Sequence, residues 1–170
     1  MDFKKYIRDI HDFPKQGIVF KDITTLLSNP EILNKAANEL YEFVKTEKID
    51  KVIGLESRGF LFGPLLAAKL NAGFVPIRKP GKLPHDVLSV TYELEYGTDT
   101  LEIHKDSILP GERVLLHDDV LATGGTAKAA LELIRELGGE VVQCNFLIEL
   151  GFLNGREKLN GTAVASLIQY

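Results

Sequence analysis

The sequence predicts an α/β fold: an open, twisted, mainly parallel sheet flanked by helices. Three observations carry that prediction. Short apolar runs of strand length alternate along the chain with stretches of helical periodicity. Residues 87–104 alternate apolar with polar positions on both sides of a turn, and so stand apart as a β-hairpin. An apolar run at 112–117 leads through two carboxylates into a loop of small residues that opens a helix, the order of parts found in a parallel strand–loop–helix unit.

Taken in order, Ser28-Asn29-Pro30-Glu31 reads as a helix start. Ser28 or Asn29 supplies the cap, and Pro30 sits in the first turn, where its missing N–H costs nothing. Ile32, Leu33, Ala36, Ala37, Leu40, Phe43 and Val44 then recur at helical spacing. Residues 51–55 read as a buried strand, followed by a helix over 60–70 and a strand over 74–78. The stretch 79–86, rich in Pro, Gly and Lys, reads as an exposed loop. Residues 87–95 and 100–104 are the hairpin strands, joined by Tyr96-Gly97-Thr98-Asp99. After the small-residue loop, Ala127, Ala130, Leu131, Ile134 and Leu137 form one face of a helix that Gly138-Gly139 stops. Strands over 141–150 and 163–169 complete the set. Ligands collect at the carboxyl ends of such strands, where residues 56–58, 78–79 and 118–126 all fall.

Composition sets the outer bounds. A chain of 170 residues buries one substantial core, so residues 1–170 are expected to form a single domain. With 24 acidic against 20 basic residues the net charge is −4, which argues against a nucleic-acid-binding surface. The charged N-terminus has no signal-like apolar stretch, and residues 59–68 are too short to span a bilayer. A cytoplasmic location without a membrane partner is expected. Cys144 stands alone in an apolar run and reads as a small buried hydrophobe.

Residues 114–126 carry most of the chemistry. Asp118 and Asp119 are followed by Ala122, Thr123, Gly124, Gly125 and Thr126, small enough for backbone N–H groups to approach a phosphate beside a helix N-terminus. Adjacent carboxylates can accept hydrogen bonds from two neighbouring sugar hydroxyls. Phosphate plus vicinal diol describes a ribose 5-phosphate. A plain turn with an acidic helix cap is the blander alternative for the Gly-Gly. A P-loop is excluded because no Lys precedes Ser or Thr here, and a dinucleotide fingerprint because Gly-x-Gly-x-x-Gly is absent. By strand alternation His117 faces away from Asp118, toward packing or a surface contact.

The whole run resembles the phosphoribosyl-diphosphate signature of the type I phosphoribosyltransferases, with His117 where that family usually has an aliphatic residue. Such a substrate is strongly anionic, so cations are required. Arg58, Arg78 and Lys79 each follow an apolar strand; read without the motif, they are ordinary solvated strand ends. Further segments resemble the adenine-specific branch of the family: Phe13-Pro14-Lys15-Gln16-Gly17 through Thr24, Glu56-Ser57-Arg58-Gly59-Phe60, Ile77-Arg78-Lys79-Pro80-Gly81-Lys82, Tyr92-Glu93-Leu94-Glu95-Tyr96-Gly97 and Gly155-Arg156-Glu157-Lys158. The resemblance runs from about residue 3 to the C-terminus.

What the resemblance implies is a transfer from 5-phosphoribosyl 1-diphosphate to adenine, giving AMP and pyrophosphate with Mg²⁺, in a homodimer. It implies the type I fold with an N-terminal base-binding hood (1–28) and a loop-and-hairpin lid (79–105). By the same carry-over, residues 122–126 hold the 5′-phosphate, Asp118 and Asp119 the ribose hydroxyls, and Arg58, Arg78, Lys79 and Lys82 the diphosphate. Mg²⁺ is held mainly by substrate and water. The backbone of Val19, Phe20 and Lys21 reads the adenine edge, and Phe20 and Val120 sandwich the ring. Without the motif, Phe20 would be simple core packing. Glu95 is the candidate catalytic carboxylate, beside Tyr96 of the lid; without the resemblance, Glu93 and Glu95 would read as one wet face of a strand. Lys21, Thr25 and Val120 stand where relatives commonly have Arg, Pro and Leu. Thr25 is expected to loosen its turn, and Val120 to widen the adenine slot.

Overall fold

The computed structural model describes residues 1–93, 97–159 and 161–170. The chain divides into two compact units, Met1–Glu39 and Leu40–Tyr170.

In the N-terminal unit a 3₁₀ turn (Phe3–Tyr6) precedes two short strands, β1 (Arg8–His11) and β2 (Val19–Asp22), paired antiparallel. Neither strand alternates in polarity, so the sequence pattern predicts neither. Their pairing is set across the ladder instead: Arg8 lies opposite Asp22 and Asp9 opposite Lys21, with Lys21 Nζ 2.7 Å from Asp9 Oδ1. A single-turn helix, α1 (Thr24–Leu27), follows. The Thr25 hydroxyl donates to the Tyr6 carbonyl at 2.6 Å and ties α1 to the first turn of the chain. The long helix α2 (Pro30–Glu42) starts where expected, with Asn29 as its cap. Asn29 Oδ1 accepts from the N–H groups of Glu31 and Ile32.

The larger unit holds β3 (Lys51–Leu55), a 3₁₀ turn (Arg58–Phe60), α3 (Gly63–Leu70), β4 (Gly73–Ile77), the hairpin strands β5 (Val87–Glu93) and β6 (Thr98–His104), β7 (Arg113–Leu121), α4 (Gly125–Glu136), β8 (Glu140–Glu149) and β9 (Ala163–Gln169). Among the described residues the main sheet runs β4-β3-β7-β8-β9, with every neighbouring pair parallel. The α/β class and the hairpin are therefore as the sequence predicts.

Thr98 and Asp99, expected in the hairpin turn, belong to β6, and two other boundaries differ by three residues or more. The helix expected from residue 60 begins at Gly63, because Pro64 inside an earlier helix would clash with the Phe60 carbonyl; at the first turn it is accommodated. The strand expected to end at 117 continues to Leu121, so both carboxylates lie within it.

Alternation along the strands assigns the two sheet faces. Ile53, Leu55, Val75, Ile77, Val114 and Leu116 pack with α4 and with Leu101 and Ile103 of the hairpin. On the opposite face Phe74 lies against Gly54 and Gly63, and the Phe62 ring lies 6.1 Å from His117. His117 is fully buried. Its Nδ1 is 2.7 Å from Asn145 Oδ1, and Asn145 Nδ2 donates to the Leu40 carbonyl. Its role is thus interior packing. Cys144 is buried too, and burial pushes its thiol up to about 12.

Candidate active site

β7 delivers two adjacent carboxylates to the carboxyl end of the sheet, and alternation sends them to opposite sides. Asp118 joins Val120, Ala122, Thr123, Gly124, Gly125 and Thr126 in lining a pocket of about 80 Å³. Asp119 is buried against Arg58, whose Nε stands 2.8 Å from Asp119 Oδ2, though not aligned as a hydrogen bond. Burial and the neighbouring charge of Asp119 raise the Asp118 carboxyl well above the usual range. Burial also raises Asp119, opposed by the Arg58 charge. Between them the two carboxylates face the Arg58 guanidinium, and Asp118 Oδ1 accepts from the Asp119 N–H at 2.9 Å.

The small-residue loop is held from behind by backbone rather than side chains. Gly124 adopts φ +78° and opens α4. A Cβ on Gly124 would lie 2.3 Å from the Gly155 carbonyl, and one on Gly155 would lie 2.2 Å from the Ala122 carbonyl. The 3₁₀ turn Gly155–Leu159 is in turn anchored by Arg156, which makes a two-pronged pair with Glu149 at 2.6 and 2.7 Å. Arg156 holds the Glu149 carboxyl below the usual range. Nothing in the sequence around residues 155–159 signals this supporting role.

The cations at the end of β4 are gathered by Glu56, the residue after β3. Glu56 accepts from the Lys79 N–H at 2.8 Å, pairs with Lys82 Nζ, and lies 3.3 Å from Arg78 Nε. Burial works against its ionisation, but these three partners outweigh it and hold its pKa at about 2. Arg78 also leaves the parallel sheet and bridges Glu102 of the hairpin. Lys79 Nζ pairs with Asp99 on β6, and Asp99 Oδ2 accepts from the Tyr92 hydroxyl at 3.3 Å. That hydroxyl lies 3.2 Å from Thr126 Oγ1, at the start of α4.

The structure thus brings Asp118, Val120 and residues 122–126 together, sets Arg58 on Asp119, and collects Arg78, Lys79 and Lys82 around Glu56. Val19, Phe20 and Lys21 form β2 of the N-terminal unit, where Phe20 stacks edge-on with Phe13 at 5.2 Å. Glu95 and Tyr96 lie outside the described residues.

The phosphoribosyl transferase domain matches residues 22–160. An adenine phosphoribosyltransferase of Flavobacterium johnsoniae is 61% identical over 170 residues, covering 100% of both chains. The crystal structure of adenine phosphoribosyltransferase from Thermoanaerobacter pseudethanolicus superposes with a TM-score of 0.97 at 53% identity, over 99% of this chain and 98% of that one. The enzyme from Saccharomyces cerevisiae, complexed with an imino-altritol bisphosphate and adenine, superposes at 0.92 with 45% identity, over 98% and 96% of the two chains. A match of this extent, on a strand end that already reads as a sugar-phosphate site, places the chain in the phosphoribosyl transferase family, in its adenine phosphoribosyltransferase branch.

Proposed function

We propose that this chain transfers the phosphoribosyl group of 5-phosphoribosyl 1-diphosphate to adenine, releasing pyrophosphate and forming AMP in purine salvage. The observation that carries the reading is the pocket at the end of β7, where a carboxylate and a helix-opening loop of small residues line one space. Ala122, Thr123, Gly124, Gly125 and Thr126 hold the 5′-phosphate, and Asp118 and Asp119 accept from the ribose hydroxyls. Arg58, Arg78, Lys79 and Lys82 bind the diphosphate. The backbone of Val19, Phe20 and Lys21 reads the adenine edge, and Val120 lines the base slot. A backbone carbonyl facing the amino group of adenine would face an oxo group in guanine or hypoxanthine. Such a mismatch leaves a buried polar group unpaired, at a cost of about 1–3 kcal/mol.

N9 of adenine attacks C1′ as the C1′–oxygen bond to the diphosphate breaks, through an oxocarbenium-like transition state. Glu95 accepts the N9 proton. Residues 79–105, with Tyr96, act as a lid that keeps water from the reactive carbon. Asp118, lining the pocket beside the small-residue loop, suits a site where Mg²⁺ would neutralise diphosphate charge while being held mainly by substrate and water. Residues 1–28 serve as a base-binding hood on a single domain. The working form is a cytoplasmic homodimer with no nucleic-acid or membrane partner. Among the described residues no helix is long and apolar enough to cross a membrane.

The test is pyrophosphate release from 5-phosphoribosyl 1-diphosphate and Mg²⁺ with adenine, guanine, hypoxanthine, xanthine or orotate in parallel. Release with adenine is expected. Release with another base in its place overturns the account of base recognition, and silence with all five overturns the enzyme reading.

A further inference from the structure

Each cation assigned to the diphosphate already faces a carboxylate of this chain. Arg58 faces Asp119, Arg78 and Lys82 face Glu56, and Lys79 faces Asp99. Asp119 and Glu56 are buried beside their partners, with side chains 4% and 8% exposed. Asp99 differs: it lies 29% exposed on the hairpin, away from the main sheet. It also belongs to a chain of contacts, Lys79–Asp99–Tyr92–Thr126, that joins the diphosphate segment to the 5′-phosphate loop through the hairpin. No step of the proposed reaction uses it.

We propose that Asp99 is a positioning residue that acts through Lys79. It holds the ammonium against the hairpin before substrate arrives and surrenders it to the diphosphate. Affinity for the diphosphate is then set by two anions competing for one cation. The proposal rests on the reading of Lys79 as a diphosphate ligand. An ammonium on a flexible stem suits such an exchange better than the rigid fork of an arginine. Lys79 and Asp99 are about a third exposed, so their pair is weak enough for a polyphosphate to displace. Burial works against ionisation of Asp99, yet its Lys79 and Thr100 hydrogen bonds hold its carboxyl below the usual range, so the competitor is charged at neutral pH.

Asp99→Asn is the test, because it removes the charge and keeps one side-chain oxygen to accept from the Thr100 N–H, while the amide nitrogen in place of the second oxygen can donate to the Tyr92 hydroxyl. Pyrophosphate binding, measured calorimetrically with Mg²⁺, is expected to tighten roughly two- to fivefold, the size of a partly exposed ion pair. The KM for 5-phosphoribosyl 1-diphosphate falls in parallel, and Asp99→Glu restores the original values. In a Lys79→Met background the Asp99→Asn change has no effect. Unchanged or weaker pyrophosphate binding in Asp99→Asn overturns the proposal, as does an undiminished effect in the Lys79→Met background. Failure of the underlying reading looks different: Lys79→Met by itself then leaves pyrophosphate affinity intact. Should Asp99→Asn not fold, Asp99→Ser gives the same comparison.

Discussion

Glu56→Gln probes how the cation segment is held together. The side chain is 8% exposed at the end of β3 and serves Lys82, the Lys79 N–H and Arg78 at once. Burial raises its pKa and these partners lower it further than burial raises it, from the ordinary 4.5 to about 2. At 1.36 kcal/mol per pKa unit, that shift caps the contribution to folding at roughly 3 kcal/mol. Lys82 is 47% and Arg78 33% exposed, and the resulting solvent screening reduces the contribution to about 1–2 kcal/mol. Because the folded pKa is depressed, the contribution is complete above 4.5 and is lost as pH falls toward 2. Glutamine keeps the shape and loses the charge. Its melting temperature at neutral pH should fall by about 3–8 °C, and the gap to the native chain should close through the same window. Thermal unfolding followed by circular dichroism from neutral pH downward reads both effects. Equal stability at neutral pH, or a gap that stays constant through the acid range, would refute the reasoning.

Three further outcomes are expected. Gly155→Ala drives a methyl group toward the Ala122 carbonyl, 2.2 Å from the ideal Cβ, so the 5′-phosphate loop must shift at a cost of about 1–3 kcal/mol. With that cost falling on binding, its KM for 5-phosphoribosyl 1-diphosphate should rise roughly five- to 150-fold, and an unchanged KM would show that the loop does not need this support. Burial lowers the His117 pKa to about 4 against the opposing Asn145 hydrogen bond, so the unfolded chain takes up a proton below the ordinary 6.5 that the folded chain refuses. Stability against urea should therefore decline between those two values, and His117→Gln should flatten that part of the profile. Glu95→Gln should lower kcat far more than it raises either KM, and unchanged turnover would remove Glu95 from the mechanism.

What the sequence reveals and what it hides divide along a physical line. β3 is legible as a contiguous apolar run, α2 because its apolar residues recur at helical spacing, and the loop at 122–126 because its small residues are contiguous. β1 and β2 are not, since their ladder depends on charges that meet only after the chain has turned back. The end of β7 is misplaced for a related reason. Two carboxylates in a row read as a strand terminus, whereas the strand continues because β8 pairs beside it and Arg58, sixty residues earlier in the chain, offsets the charge of Asp119. Glu56, Asp99 and Tyr92 carry no local signal. Their significance lies in partners twenty or more residues distant, Lys82, Lys79 and Thr126, and proximity of that kind is a property of the fold.

The face-to-face approach of Gly124 and Gly155 has a consequence for protein engineering. The signature at 114–126 looks portable: strand, acids, small loop, helix. Its loop, however, rests on a floor supplied by the segment after β8, and that floor is fastened by Arg156 to Glu149. A graft of the thirteen residues onto another strand–loop–helix unit would carry the donors without the surface that shapes them. The smallest transferable module therefore consists of two stretches distant in the chain, moved together.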